Sequence, residues 1–418
     1  MSAGRVGALS LLALGINGVV GVGIFFTPNL IAELVPGRTG ALVYLATGAL
    51  LVPIALTFSV LATRLGLDGG PYVWARAAFG ERVAFGVGWV TAISALLSTA
   101  AVLAGLRDHL APVLHVPAGF ARVLFTWACV ALLAGIASLG LRPSAWTWDV
   151  LTLLKLLPLA ALLFFALLAQ PSARPAASGG APADFGRALL IAVFPLQGFE
   201  VVPVLAGSAR GRGAIVFATA GSLLFAAALY SLIQLACVTA APDLAAHPAP
   251  IVEAAKRVGG APLMGLVSVG TNLSAFATAF GMIVMTPRYV AALGSDGGFS
   301  ARLAALDQRS VPRVALLGSA VLIALLASSE RLGALFVLSS SAVLLQYVSS
   351  MASLVRLSWR GHAGLSRAWI VPALSSLLAV GFLAKAVDEH EVVALGLTLL
   401  AGALAAGLSM RAKRHEPR

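Results

Sequence analysis

Charged residues and cysteines are scarce in this chain. Only 11% of its 418 residues are charged, 60% are hydrophobic and the mean hydropathy is +0.97, which excludes a soluble globular protein of this length. The two cysteines, Cys129 and Cys237, lie in apolar runs and indicate packing rather than a disulfide. The six histidines lack ligand spacing, and neither an HExxH motif nor a paired-acid motif occurs. We therefore expect no metal site, no hydrolytic site and no cofactor.

Long apolar runs occupy most of the chain instead. A helix needs about 20 apolar residues to cross a bilayer, and twelve such runs are separated by short polar or Gly/Pro-containing breaks. This pattern predicts an all-α, multi-pass protein of the lipid bilayer without a soluble domain. The expected spans are 6–34, 40–64, 83–106, 119–140, 146–169, 188–207, 214–241, 260–290, 313–329, 332–356, 367–386 and 391–410.

The net charge of +12 follows from 28 Lys and Arg against 16 Asp and Glu. The basic residues are scattered among loops, without the clustered face that phosphate binding requires, so we expect no nucleic-acid partner. If the N-terminus is cytoplasmic, about twice as many Lys and Arg residues fall inside as outside, and the basic tail 411–418 is inside as well. The positive-inside rule thus predicts that both termini are cytoplasmic.

The first span contains three glycines within six residues, at Gly18, Gly21 and Gly23. Each glycine costs about 1 kcal/mol in a helix interior relative to alanine, so the helix is predicted to open here. Backbone groups freed inside a membrane are tolerated only where they line a cavity. Half-helix ends at mid-membrane offer N–H groups to a carboxylate and carbonyls to a cation. The segment is therefore a candidate cradle for an amino acid.

The sixth span is interrupted at 194–200 by a proline, a glycine and an acid. The interruption falls about as far into spans 6–10 as the glycine-rich segment falls into spans 1–5, a pattern typical of inverted-repeat transporters; a simple proline kink is the alternative. Glu200 is expected to be protonated or held by backbone donors, as a brace, a gate residue or a proton carrier. On a continuous helix it would lie about 9 Å along the axis from Phe194.

Lys155 lies about nine residues into the fifth span, which places it near the membrane midplane, about 14 Å along the axis. Snorkelling to the interface is the alternative, but its side chain reaches only about 6 Å. An amine buried there can load and release a proton near neutral pH. Polar residues of span 8, Ser274 and Thr278, are expected to join Glu200 in a gate or structural network, although most such residues only pack helices.

Three segments between the expected spans have sequences that predict their local structure. Gly-Gly-Pro-Tyr at 69–72 predicts a turn and a short amphipathic helix, residues 248–258 predict another short helix, and 171–187 is expected to be an external linker.

These residues together resemble the amino acid/polyamine/organocation transporter superfamily. The matching motifs are the Gly-x-Gly-Ile break at 21–24, Gly-Gly-Pro-Tyr at 69–72 with Phe79-Gly80, Gly-Phe-Glu at 198–200, and Arg288 followed by Asp296-Gly297 and Pro312. The resemblance implies twelve transmembrane helices in a five-plus-five inverted repeat (LeuT-like), with discontinuous helices 1 and 6. Its expected parts are repeat 1 at 1–170, the linker and repeat 2 at 171–357, and two further helices with a basic tail at 358–418.

By the same resemblance, an amino acid binds between the two broken helices. The amides around Val22, Gly23 and Ile24 would hold its carboxylate. Carbonyls near Val19, Val20 and Phe194 would take its amine, and Phe194 would occupy the place of an aromatic lid. Gly21 and Gly198 belong to the same expected site, and Lys155 matches a lysine that couples transport to protons.

The sequence thus predicts a proton-coupled transporter of neutral amino acids in the cell membrane, with an amino acid and a proton as its partners. The alternatives are a proton-independent exchanger, a cationic amino acid or polyamine transporter, and, from another class, a membrane enzyme or non-transporting receptor. The absence of a catalytic motif disfavours an enzyme.

Overall fold

The structure, a computed structural model, describes residues 7–65, 70–140, 145–169, 183–204, 211–295, 301–309, 311–329, 331–397 and 400. Within these ranges the regular elements are all helical, with no strand. Nine helical segments of this part of the chain are long and apolar enough to cross a membrane, and two shorter apolar helices cover Leu153–Leu168 and Arg313–Ala327. Most of the expected 171–187 linker and of the expected span 391–410 lies outside the described residues.

The helices are numbered in chain order. They are α1 (Ala8–Val19), α2 (Gly23–Phe26), α3 (Pro28–Leu34), α4 (Gly40–Leu65), α5 (Pro71–Phe79), α6 (Glu81–Val113), α7 (Phe120–Ser138), α8 (Ala145–Leu168), α9 (Phe185–Leu196), α10 (Val201–Val204), α11 (Arg212–Ala240), α12 (Pro250–Ser295), α13 (Ala301–Ala304), α14 (Arg313–Ala327), α15 (Leu332–Trp359) and α16 (Ile370–Ala384). Residues 389–397 are also helical.

Both predicted short helices are present. Helix α5 follows the Gly-Pro turn, and α12 bends at Gly260, whose φ of +65° separates a first segment of about ten residues from the span that follows. A positive φ is readily adopted only by glycine, so the bend is encoded locally.

The chain forms two compact units, 1–70 with 143–276 and 361–386, and 71–142 with 277–360 and 387–418. Each unit takes segments from both halves of the sequence. The units therefore follow a different division from the repeat boundaries expected at 170 and 357, which stay predictions.

In the first unit, α4 and α11 pack closely through small residues. A Cβ atom on Gly48 would lie 2.5 Å from the Cβ atom of Ala227, and one on Gly15 of α1 would lie 2.7 Å from the hydroxyl of Ser222 on α11. The hydroxyl of Thr47 also donates to a carbonyl of α9, at 3.3 Å. Small residues let helix backbones approach closely where lipid provides no hydrophobic drive for helix association.

The second unit is tied together by buried hydroxyl pairs. Ser98 of α6 and Ser339 of α15 lie 2.6 Å apart, and Thr99 of α6 lies 2.8 Å from Thr286 of α12. Buried Arg107 donates to the carbonyl of Ala327, at 2.7 Å, and so caps the C-terminus of α14.

Candidate substrate site

The first span opens where its glycines predict. Helix α1 ends at Val19, Val20 leaves the helical region with ψ of 77°, and α2 begins at Gly23. The N–H groups of Val22, Gly23 and Ile24 have no hydrogen-bond acceptor among the described residues. The first N–H groups of any helix lack intrahelical partners, so this end of α2 can receive an anion.

The sixth span opens three residues later than its proline suggests. Pro195 lies inside the last turn of α9, Gln197 is extended, and Gly198 has a φ of +113° before α10 begins at Val201. The N–H of Gly198 donates to a carboxylate oxygen of Glu200. The separation of about 9 Å between Phe194 and Glu200 assumed a continuous helix. The helix ends at Leu196 instead, and the side chain of Glu200 folds back to the backbone of Gly198.

The two openings meet backbone to backbone. A Cβ atom on Gly18 would lie 2.8 Å from the carbonyl oxygen of Gly198, and one on Gly198 would overlap the carbonyl of Gly18. These two glycines thus let two discontinuous helices cross with no side chain between them.

Gly23, at the start of α2, packs directly against the sixth span. A Cβ atom there would lie 2.7 Å from both the Cα and the Cβ atoms of Pro195. The missing side chain of Gly23 therefore leaves room for α9, which meets it at Pro195.

Buried tyrosines brace the opening of the first span. The hydroxyl of Tyr230, on α11, donates to the carbonyl of Val19 at 2.8 Å, and Tyr44, on α4, pairs with the hydroxyl of Thr27 at 2.7 Å. The two tyrosine rings contact each other edge to face, with centroids 5.7 Å apart. The carbonyl of Val19 also accepts the N–H of Gly21, so both of its lone pairs are engaged.

The amine of Lys155 is buried, with 3% of the residue exposed, and so does not snorkel to the surface of the structure. It donates to the side-chain oxygen of Asn17 at 3.4 Å, two residues before the end of α1. Gly270 of α12 lies directly against Pro158, one turn along α8. The amine thus lies at the opening of the first span, and no carboxylate of the described residues pairs with it.

Two of the expected gate residues, Ser274 and Thr278, lie four residues apart on α12. Both hydroxyl oxygens are buried and have no hydrogen-bond partner among the described residues. The third, Glu200, accepts the N–H of Gly198 within the break of the sixth span.

Sequence reasoning missed the residues that support the site. Each is a polar side chain isolated in an apolar run, and this isolation was the sequence feature that could have identified it. Their hydrogen-bond partners are distant in the chain, so the sequence does not reveal what they bind. They are Asn17, Tyr44, Tyr230 and Gln234, the last of which donates to the carbonyl of Pro28 at 3.1 Å.

Comparison of the sequence with known proteins finds amino acid transporters among its relatives. The chain is 28% identical to cationic amino acid transporter 4 of Mus musculus over 84% of its own length, and it spans only 59% of that relative. It is 26% identical to the L-lysine transport protein of Corynebacterium glutamicum, over 85% of this chain and 76% of the relative. It is 27% identical to the branched-chain amino acid permease BcaP of Bacillus subtilis, over 81% of this chain and 80% of the relative.

The relatives and the family are transporters rather than enzymes, which agrees with the resemblance found in the motifs. The sequence profile of the amino acid permease family matches residues 6–390. Together with the apolar helices, this match confirms a membrane-embedded protein, and the chain belongs to the amino acid permease family.

Proposed function

We propose that the protein carries one amino acid at a time across the cell membrane by alternating access. The observation that carries the proposal is the crossing of two broken helices at Gly18 and Gly198, beside the unpartnered amides at the start of α2. Discontinuous helices of this kind form the midplane substrate sites of secondary transporters. The proposed architecture has twelve spans in a five-plus-five inverted repeat, with both termini in the cytoplasm.

The substrate's carboxylate would bind the N–H groups of Val22, Gly23 and Ile24, whose partial positive charge favours an anion. Its ammonium group would bind carbonyls released by the two breaks. Because the carbonyl of Val19 is engaged by Tyr230 and Gly21, the carbonyl of Val20 is the better acceptor in the first span. Phe194, buried in the last turn of α9, would cover the bound substrate.

Proton coupling is assigned to Lys155. A charged amine donates to Asn17 and holds the end of α1, and a neutral amine loosens that contact. Since Asn17 lies just before the opening, the protonation state would bias the geometry of the cradle. This step couples proton release to substrate release.

Reconstitution in liposomes separates coupled transport from exchange. Uptake of labelled amino acid is measured with an inward proton gradient, with no gradient, and with unlabelled substrate trapped inside. Accumulation that requires the proton gradient supports coupling. Uptake that occurs only by counterflow identifies a proton-independent exchanger and contradicts the proton-coupled part of the proposal.

The proposed substrate is a neutral amino acid with a small to medium apolar side chain. Residues around the cradle are mainly apolar, and the Glu200 carboxylate already accepts the N–H of Gly198. The branched-chain permease among the relatives is consistent with this choice.

A cationic amino acid is the second candidate. It is favoured by the names of two relatives, cationic amino acid transporter 4 and L-lysine transport protein, and by the position of Glu200 at the break. Competition against labelled leucine and labelled lysine uptake decides between them. Inhibition by alanine, valine and leucine supports a neutral substrate, whereas inhibition only by lysine and arginine contradicts it.

A further inference from the structure

A pocket lies within the second unit, whereas the crossing of the broken helices belongs to the first unit. It is formed by the end of α7, the last turns of α12, and the segment that leads into α14. Its lining includes the apolar side chains of Ile283, Val284 and Leu316 and two arginines, Arg288 and Arg309.

The segment that carries Arg309 is held in a defined conformation. The carboxylate of Asp307 accepts the N–H groups of Arg309 and Val311, at 2.8 and 2.9 Å, and the side chain of Arg313, at 2.6 Å. A Cβ atom on Gly140, whose φ is +70°, would lie 2.8 Å from the Cβ atom of Arg309. The loop therefore packs directly on the end of α7.

The two pocket arginines have no carboxylate partner among the described residues. Asp307, the nearby acid, is engaged by the backbone of the loop and by Arg313. Guanidinium groups present several N–H donors in a planar fork that fits the oxygens of a phosphate. The charge in this pocket therefore favours an anion with a phosphate group.

The elements around the pocket also present large apolar side chains outward. Leu139 after α7, Met285 on α12 and Leu317 on α14 are 52%, 49% and 67% exposed. In a membrane-embedded chain such side chains face lipid tails. A lipid bound here would therefore have two arginines for its headgroup and apolar side chains beside its hydrocarbon chains.

We propose that this pocket binds the headgroup of an anionic phospholipid, with the phosphate group on Arg288 and Arg309 and an acyl chain along the exposed side chains of Leu139, Met285 and Leu317. A basic pocket between transmembrane helices is a recurrent form of headgroup site. The hydrocarbon-facing surroundings favour a lipid over free phosphate. This binding site is independent of the proposed transport of amino acids.

Thermal unfolding of the delipidated, full-length protein in detergent tests the proposal. Dioleoylphosphatidylglycerol, dioleoylphosphatidylcholine and inorganic phosphate are titrated separately. We expect only the anionic lipid to raise the melting temperature, and the double variant Arg288→Gln, Arg309→Gln to weaken its apparent affinity by about tenfold or more.

The double variant Arg331→Gln, Arg360→Gln is the matched control, because it removes the same two charges from exposed residues at the two ends of α15; it should respond like the parent. Stabilisation by phosphate equal to that by the lipid would assign the pocket to a soluble anion and overturn the proposal. An unchanged response of the double variant would overturn it as well. If the double variant does not fold, native mass spectrometry of Arg309→Gln, whose side chain is exposed, gives the answer: retained phosphatidylglycerol contradicts the proposal, and its loss supports it.

Discussion

The carbonyl oxygen of Gly198 lies 2.8 Å from the position that a Cβ atom on Gly18 would occupy. The two residues are far apart in the sequence and belong to the two helices that open. Their approach leaves no room for a side chain on either residue, so the crossing of the broken helices depends on both being glycine.

Gly198→Ala should therefore abolish substrate binding and lower the melting temperature. Its φ of +113° is strained for any L side chain, and the new methyl group would overlap the carbonyl of Gly18. Gly135→Ala is the control, because this helical glycine of α7 has open space around its missing Cβ and should gain up to about 1 kcal/mol. Substrate-induced thermal shifts measure both effects. Normal binding by Gly198→Ala would contradict the crossing described here.

Gly23→Leu should also eliminate binding, and the structure gives the reason. Because its Cβ atom would lie 2.7 Å from the backbone of Pro195, the variant should force α2 away from α9. Gly23→Ala should already destabilise the substrate-free protein by about 1–3 kcal/mol, as overpacking does. The melting temperature of the substrate-free variant distinguishes this packing explanation from one in which the new side chain blocks the substrate pocket. If it equals that of the parent while binding is lost, the side chain blocks the pocket and the packing explanation is wrong.

Lys155→Ala should abolish proton-driven accumulation while an ordered fold persists. Lys155→Arg should fail too, since arginine stays protonated at any working pH. Asn17→Ala, which removes the contact of 3.4 Å, should weaken the dependence of uptake on pH. Uptake into liposomes at several external pH values is the measurement. Full, pH-dependent uptake by Lys155→Ala would exclude this residue as the proton carrier.

Tyr230→Phe should lower stability by about 1 kcal/mol, because the buried carbonyl of Val19 loses a donor at 2.8 Å. It should also raise the concentration of substrate needed for half-maximal binding, since the end of α1 is less firmly held. The parent protein serves as the comparison. A melting temperature and an affinity equal to those of the parent would show that the Tyr230 hydroxyl does not brace the opening.

Lowering the pH should remove the contribution that Asp243, in the loop between α11 and α12, makes to the stability of the folded protein. Hydrogen bonds from Arg257 and then His247 hold the pKa of this carboxyl well below its usual range. A carboxyl group whose pKa is lower in the folded than in the unfolded protein stabilises the fold at pH values above its unfolded-state pKa, about 3.9 for Asp. That stabilisation is lost as the pH falls further. Asp243→Asn should therefore melt below the parent near pH 7, and the difference should shrink below about pH 4. A difference that is constant with pH would contradict this ion pair.

Much of the local structure follows from the sequence alone. The opening at Val20–Val22, the short helix α5 and the bend at Gly260 were all predictable, because glycine and proline act on the backbone through steric effects within a few residues. The apolar runs likewise indicate most of the helices, since a bilayer demands a minimum apolar length.

Tertiary structure decided which of these residues meet. Pro195 lies within the last turn of α9 and packs against Gly23, and the break falls at Gly198, where contact with Gly18 requires a glycine. The contact between Lys155 and Asn17 joins residues 138 positions apart. Such pairings depend on how whole helices cross, and helix crossing is set by the summed packing of many small residues, which no local pattern in the sequence records.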